Sequence, residues 1–428
     1  MKKCVIMLLL IFGMIYSVLA QSIPKAAYVL NSLGQNLSII NLQNGNVNID
    51  ALPLGLYANV IKIRGEKAYA VNSGINELQV INLNPLGTID HIDVGNSTNP
   101  WGMDFVNDTI AAVSLLFTDQ VAIVNVNSGQ VIQNVPVGVG PEGIKYYNGK
   151  IYVANTGFNG AGYDPGTISV IDAGTFLVID TINVGLNPWD LDVDSQERLI
   201  VVCAGNYTTV SGQMDIVNLN TGNMVNTVPF TSSPTSVGIN SLDQCYVGTF
   251  GSGVTVYNLI TQSFERDESN PLPGGPGIDF DAQNKVYITD FSEDSVRVFS
   301  PSHQKIAAYG VGDGPVSISI YDLSVTNIGF TNLTKPVNFE LYQNYPNPFN
   351  PTTNIGFEIS DFGFVSLNIY DLSGKLVRTL ISETKRPDMY MVQWDGRDNT
   401  GRSLASGVYF YRLRVGGSSK INKMYLIR

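Results

Sequence analysis

A chain made almost entirely of short β-strands is predicted by three observations. A four-strand pattern recurs seven times, with corresponding residues 41 to 48 positions apart. The series opens on what is elsewhere a second strand and closes on what is elsewhere a first. After residue 322 the strands continue but the repeat stops. Units of this size cannot bury their apolar faces alone and must stack on one another, so the first two observations predict a seven-bladed β-propeller over 21–322. The third predicts a small immunoglobulin-like β-sandwich over 338–428, reached through a polar linker at 323–337.

The chain opens with Lys2 and Lys3, an apolar run from Val5 to Ile15, and Val18-Leu19-Ala20 before Gln21. A basic start, an apolar stretch too short to span a bilayer comfortably and a small-residue cleavage site predict a signal peptide at 1–20, and no integral membrane segment once it is removed. Cys4 leaves with it. Cys203 and Cys245 fall at non-equivalent positions on neighbouring repeats, which predicts two buried small apolar residues rather than a disulfide.

The formal net charge is −11, and −13 without Lys2 and Lys3. A phosphate backbone would be repelled, so nucleic acid is not an expected partner. Charged residues make up only 14% of the chain, which leaves much of the polar surface to Asn, Ser, Thr and Gln.

The fourth unit shows the repeat most plainly. From Pro141 it runs through a short strand, a turn at Asn148-Gly149, a strand Ile151 to Asn155, a Gly-rich loop, a strand Ile168 to Asp172 and a last strand ending at Val184-Gly185. Aligning second strands on an aromatic or apolar anchor picks out Tyr28, Tyr69, Ile110, Tyr152, Ile200, Tyr246 and Tyr287. Third strands end in Asn41, Asn82, Asn125, Asp172, Asn218, Asn258 and Ser300, whose short polar side chains suit capping the next turn. Innermost strands begin near Tyr57, Pro100, Pro141, Pro188, Pro234, Pro276 and Pro315. The last of these has no sheet of its own unless it pairs beside Tyr28, a pairing that would leave no open seam.

Tyr152-Val153-Ala154-Asn155-Thr156 and Val184-Gly185-Leu186-Asn187-Pro188, with Val94-Gly95, Val137-Gly138 and Val311-Gly312, resemble the YVTN family of extracellular propeller repeats over about 24–322. Units three and five depart from it, with Val113 and Cys203 where the asparagine belongs. The resemblance implies the fold and no single activity, since surface-layer proteins, dehydrogenase propellers and lactonases share it.

Beyond the linker stand Tyr345-Pro346-Asn347-Pro348-Phe349-Asn350-Pro351, Val365 to Asp371 with Gly374, Trp394-Asp395-Gly396, Asp398 with Gly401, Ala405 to Tyr409 including Gly407, and Lys423 to Arg428. In this order they resemble the C-terminal sorting domain of type IX secretion cargo. That resemblance implies the type IX secretion machinery as a partner, export to the medium or outer cell surface of a Gram-negative bacterium, and removal of the domain near the linker. On physical grounds Gly374, Gly401 and Gly407 suit tight hairpin turns, and Asp395-Gly396 is a turn.

Four antiparallel strands send the connections between sheets and the second-to-third loops to one face. The longest such loops, Thr156 to Gly166 and Ala204 to Gly212, belong to adjacent units. They bring Phe158, Tyr163, Asp164 and Tyr207 to the same rim as Trp101, Glu142, Trp189 and Asp190 from the inter-sheet turns. Exposed aromatics on loops held by a rigid scaffold suit ligand recognition, although Trp101 and Trp189 can equally wedge between sheets. Inner strands place Ile61, Asp104, Lys145, Asp192, Gly238, Asp279 and Ser319 at equivalent positions, where the aspartates either hold a cation or stand solvated beside Lys145.

His91 and His303 are the only histidines, which leaves little material for a histidine metal site or a Ser-His-Asp triad. The expectation is a secreted or cell-surface, non-catalytic binding protein without a cofactor, taking an extracellular protein or glycan. Two alternatives stay open: a lactonase-like enzyme with a metal held by Glu142 and Asp190, and a structural surface-layer subunit.

Overall fold

A computed structural model of the protein describes residues 25–249, 251–322, 339–359, 363–371, 375–385, 388–415 and 418–427. The expected signal peptide, the linker 323–337 and Gly374 lie outside them. The described chain is all-β, and its one helical element is a 3₁₀ turn at Ser73–Ile75.

Before the linker stand seven four-stranded antiparallel sheets. Sheet I joins Pro315–Tyr321 to Ala26–Asn31, Asn36–Asn41 and Val47–Pro53. Sheets II to VII each take four consecutive strands, beginning at Ala58, Pro100, Pro141, Pro188, Pro234 and Ile278. Tyr28 pairs with Ser319 and Val29 with Ile318, as the sequence requires of a last strand without a sheet of its own. Each inner strand lies against the inner strands of the sheets before and after it, VII against I included.

The core sits between sheets. Tyr28 and Leu30 of sheet I pack with Ile61, Ala70 and Ile81 of sheet II, and six further clusters join II to III and so on round to VII with I. Both faces of a sheet are therefore covered, and second strands such as Ala26–Asn31, Arg198–Cys203 and Gln244–Thr249 are buried at every residue. Each fully buried aliphatic side chain there contributes about 1.5 to 3 kcal/mol. Cys203 and Cys245 are free, buried thiols; the first lies 3.8 Å from Asp215 Oδ2 and the second 3.6 Å from Met214 Sδ.

Turn and edge chemistry follow from the sequence. Asn41, Asn125, Asp172, Asn218 and Asn258 each accept two backbone N–H groups of the turn that follows. The outer strands of sheets II to VII each hold one residue more than their partner, a β-bulge at Ile89, Ile132, Ile179, Val225, Glu265 and Ile306.

Strand pairing corrects three sequence alignments. Tyr69 and Tyr152 face Val80 and Val170, and the residue in that register of sheet III is Ala112, opposite Ile123, not Ile110. The asparagine position of sheet III is accordingly Leu115 rather than Val113. On the inner strands, Tyr69 pairs with Lys62, so Lys62 rather than Ile61 corresponds to Asp104 and Lys145.

The C-terminal domain packs a three-stranded sheet (Phe339–Leu341, Thr353–Ile359, Asp388–Trp394) with a four-stranded one (Leu376–Lys385, Gly363–Tyr370, Gly407–Val415, Ser418–Leu426) around Phe349, Phe357, Trp394, Tyr411 and Leu413. The proline-rich segment is strapped to the last strand. Phe349 N–H donates to Tyr425 O, Ile427 N–H to Phe349 O, and Tyr425 N–H to the Asn347 side chain. Tyr411 Oη accepts from Asn344 N–H and donates to Tyr342 O. Gly396 and Gly401 adopt left-handed φ of 70° and 84°, as turns demand. Gly407 does not: it opens a strand opposite Leu426, so the turn expected of it is absent. Lys423 is exposed on that last strand, its Nζ 5.7 Å from the Tyr425 ring.

Candidate functional site

In sheets III, IV and V the residue after the opening proline is Trp101, Glu142 and Trp189. The three inner strands approach closely because glycine follows in two of them. A Cβ on Gly102 would lie 2.5 Å from Glu142 O, and one on Gly143 2.6 Å from Trp189 O. With strand IV so thin, the indoles of III and V reach across it and meet edge to face, ring centres 6.0 Å apart. Trp101 and Trp189 are half-buried and line the cavity between the inner strands. They neither stand free nor wedge apart two adjacent sheets.

Glu142, between them in sequence register, is buried, and its Oε2 has no hydrogen-bond partner. Burial first, and the neighbouring Asp190 second, push its carboxyl up to about 8. Asp190 is also raised by burial, to about 6, although it accepts N–H groups from Leu191 and from Val237 of the next sheet at 2.8 and 3.0 Å.

The two long loops supply the remaining rings. In the loop of sheet IV, Phe158 and Tyr163 form a single bridge that closes a small hairpin, and their rings lie 5.4 Å apart. In the loop of sheet V, Asn206 Oδ1 accepts the N–H groups of Thr208, Thr209 and Val210, fixing the turn that carries Tyr207. Tyr163 and Tyr207 rings stand 6.3 Å apart, so the adjacent loops do meet. Tyr207 Oη accepts from Asn187 Nδ2 at 3.3 Å, and its hydroxyl, pushed up to about 12 by burial, also feels the Trp189 indole and Glu142. Phe158 and Tyr207 remain about half exposed, at 51% and 52%. Asp164 stands apart: it is exposed, and its carboxylate takes Asn159 Nδ2 within the same loop.

Sequence reasoning missed two contributors. Asn187 is fully buried with φ 59°, donates to Gly205 O as well as to Tyr207, and so ties the inter-sheet turn to the loop. Its asparagine-proline pair marks a turn but nothing in the sequence shows the reach to Tyr207. Phe117, at the tip of the corresponding loop of sheet III, is 69% exposed on the same face.

Deeper in the cavity the equivalent positions are Lys62, Asp104, Lys145, Asp192, Gly238, Asp279 and Ser319. The aspartates are tied to backbone. Asp104 accepts from Tyr146 N–H, Asp192 from Ile239 N–H and Asp279 from Ile320 N–H, each on the next inner strand. Each also accepts the N–H of the residue that follows it. Lys145 Nζ lies 2.6 Å from Asp192 Oδ1. Two lysines among three aspartates, with the carboxylates satisfying otherwise unpaired inner-edge amides, make this a set of inter-sheet ties instead of an open cation site. Among the described residues no group of three or more His, Cys, Asp or Glu side chains could hold a metal ion. Nor is any helix there long and apolar enough to cross a membrane.

Residues 346–419 match the FlgD Ig-like domain. No curated protein matches the chain. Among solved structures, hydrazine synthase of Kuenenia stuttgartiensis is similar over 61% of this chain and 88% of its own, at 17% identity and a TM-score of 0.53. The computationally designed Ika8 protein covers 68% of this chain and 86% of its own, at 11% identity and TM-score 0.50. A functionally unknown protein from Desulfotomaculum acetoxidans covers 69% of this chain and 98% of its own, at 15% identity and TM-score 0.54. At such identities the likeness is one of fold alone: an all-β chain of many four-stranded sheets with an Ig-like domain at its C-terminal end.

Proposed function

We propose that the chain is a secreted or cell-surface, non-catalytic binding protein: a seven-bladed β-propeller whose C-terminal domain is the address for type IX secretion. The propeller reading is supported by seven sheets with a core between every consecutive pair, the seventh and first included. The export reading is supported by the motif residues Pro346, Asn347, Pro348, Trp394, Gly396 and Gly407 falling within the residues that match the Ig-like domain, and by Asn347 being tied to the last strand, which carries Lys423. The observation that carries the binding reading is that two ring groups, Trp101 with Trp189 and Phe158 with Tyr163 and Tyr207, are joined where Tyr207 meets Trp189, with the buried Glu142 acting on both tyrosines.

A lactonase-like metal enzyme would draw on Glu142 and Asp190. That donor set does not fit: Asp190 already accepts two backbone N–H groups, and no third acid, histidine or cysteine completes a group among the described residues. Glycan and peptide arrays probed with the parent, Trp189→Ala and Tyr163→Ala test the binding face. Loss of signal in both variants is expected; equal signal from all three would remove this face from consideration. For export, fusing residues 323–428 to a reporter in a bacterium with type IX secretion should carry it outside, and Trp394→Ala should retain it.

A further inference from the structure

In sheets I to V the loop between second and third strands is clipped to the inter-sheet turn beside it by two backbone bonds. In sheet I, Ser32 and Gly34 N–H donate to Gly314 O and Asp313 O; in sheet III, Leu116 and Phe117 N–H donate to Asn99 O and Thr98 O, and sheets II, IV and V repeat the pattern. Each clipped loop turns a large apolar side chain outward: Leu33, Ile75, Phe117, Phe158 and Tyr207, between 47% and 69% exposed. Backbone held in this way is ordered before any partner arrives. The fold itself gains nothing by exposing such tips. Connections on the opposite face expose only Leu242 and Ile260 as large apolar side chains among the described residues, so the arc from sheet I to sheet V belongs to one face.

Charge on this face is one-sided. None of its connections contains a lysine, arginine or histidine. Acids gather where the apolar tips stop, at Asp267, Glu268, Glu293, Asp294 and Asp313 on the connections from sheet VI round to sheet I. Glu268 accepts the N–H groups of Thr231 and Ser232, and Asp294 that of Gly314, bonds that favour the charged carboxylate without neutralising it. Glu293 and Asp313 are exposed, and neither meets a cation among the described residues. Arg297, on the third strand of sheet VII, is taken by Asp290, and Arg266 ends the outer strand of sheet VI. Apolar arc and acidic sector adjoin, since Asp313 O accepts from the loop that carries Leu33.

Such a surface selects its occupant by charge. An anionic membrane is repelled, and a second copy would bring two faces of the same sign together. We propose that this face docks a basic protein, whose apolar surface covers the arc from Leu33 to Tyr207 while its lysines and arginines meet the acids beside Asp313. The assignment rests on the binding face argued above, of which Phe158 and Tyr207 are part, and names its partner. Apolar contact at the rigid tips supplies affinity; the field of the acids speeds encounter and rejects partners of the wrong sign.

The test pans a displayed library of a small helical scaffold, randomised over one face, on the immobilised full chain. Clones enriched on the parent and depleted on Phe117→Asp should carry an excess of lysine and arginine beside aromatic and aliphatic side chains. Their binding should weaken several-fold in Leu33→Asp, two sheets away, and about ten-fold in the double variant Glu293→Lys, Asp313→Lys. Raising salt from about 0.05 to about 0.5 M should weaken it by a similar factor. Ile260→Asp, on the opposite face, should leave it unchanged. All these positions are exposed, so each variant should keep the circular dichroism and melting temperature of the parent. A library with no clone dependent on Phe117, or clones without a basic excess, overturns the proposal. So does binding to phosphatidylglycerol or phosphatidylcholine vesicles, or a dimer in sedimentation velocity, that Phe117→Asp abolishes, because the occupant is then a membrane or a second copy. If array signals depend on Trp189 and Tyr163 but no clone depends on Phe117, the binding face stands and the basic partner falls. If clones depend on Phe117 while no array signal depends on Trp189 or Tyr163, the docking arc stands and the indole side of the face falls.

Discussion

Val29, near the start of the described chain, and Ile318, just before the linker, are direct partners in antiparallel register, both buried in the cluster that joins sheet VII to sheet I. The two ends of the repeat region thus hold one another, and the seam between first and last units is built like any other.

Truncating this contact should be felt by all seven sheets. Ile318→Ala is expected to cost about 2 to 4 kcal/mol. Urea denaturation should show a single transition moved to lower midpoint with an unchanged slope; a separate early transition confined to sheet I would show that the seam opens by itself.

The tie between Lys145 and Asp192 predicts coupling. Asp192→Ala removes the acceptor of Ile239 N–H and leaves Lys145 without its carboxylate. Lys145→Met on top of it should recover part of the loss, with a coupling energy of about 1 kcal/mol in a double-mutant cycle, modest because Lys145 faces the open cavity. Strict additivity would remove the pair from the account.

Glu142 predicts a pH dependence. Its carboxyl is raised from 4.5 to about 8 in the folded protein by burial and then by Asp190. The native state keeps a proton that the unfolded chain releases, so this group lowers stability as pH climbs from about 4.5 to about 8 and by a constant amount above that. Glu142→Gln lacks the exchange. Its melting temperature should fall less than the parent's between pH 5 and pH 8.5, with a gap on the order of 3 to 5 kcal/mol at the upper end. Parallel curves would place the carboxyl in water.

Asn187 separates backbone from side chain. Asn187→Gly keeps the φ of 59° easy to reach but loses the bonds to Gly205 and Tyr207; Asn187→Ala loses the bonds and strains the backbone as well. Alanine should be less stable than glycine by about 1 kcal/mol, while both weaken ligand binding alike. A ligand affinity that follows stability instead would mean Tyr207 is placed by its loop alone.

In the C-terminal domain, Tyr411→Phe deletes a buried hydroxyl that serves Asn344 N–H and Tyr342 O. The loss should be about 2 kcal/mol in the unfolding of that domain, leaving the repeat region unmoved.

Much of this architecture was legible from residue order, because seven third strands with a polar final residue leave little freedom of alignment. The caps at Asn41, Asn125 and Asp172 follow directly from it. What failed was register where side-chain type misleads. Ile110 looks like the anchor of its strand, but pairing makes it Ala112, an alanine where the other sheets carry tyrosine or isoleucine. Counting from Tyr57 gave Ile61 for Lys62, because the residue equivalent to the prolines is Ala58, which carries no turn signal of its own. The aromatic face was readable as a set of loop and turn residues. That Trp101 and Trp189 touch across an intervening strand was not, because it depends on how closely Gly102 and Gly143 let three backbones approach.

The bulges on six outer strands bear on how such molecules behave in company. A second copy laid edge to edge against one of these rims would find its ladder of amide bonds interrupted and, at Ile89, Ile132, Ile179, Val225 and Ile306, a branched side chain pushed outward in the way. The formal net charge of −11 adds a repulsion between copies that salt screens. Misfit backbone at the periphery, together with that charge, thus opposes edge-to-edge growth into fibres.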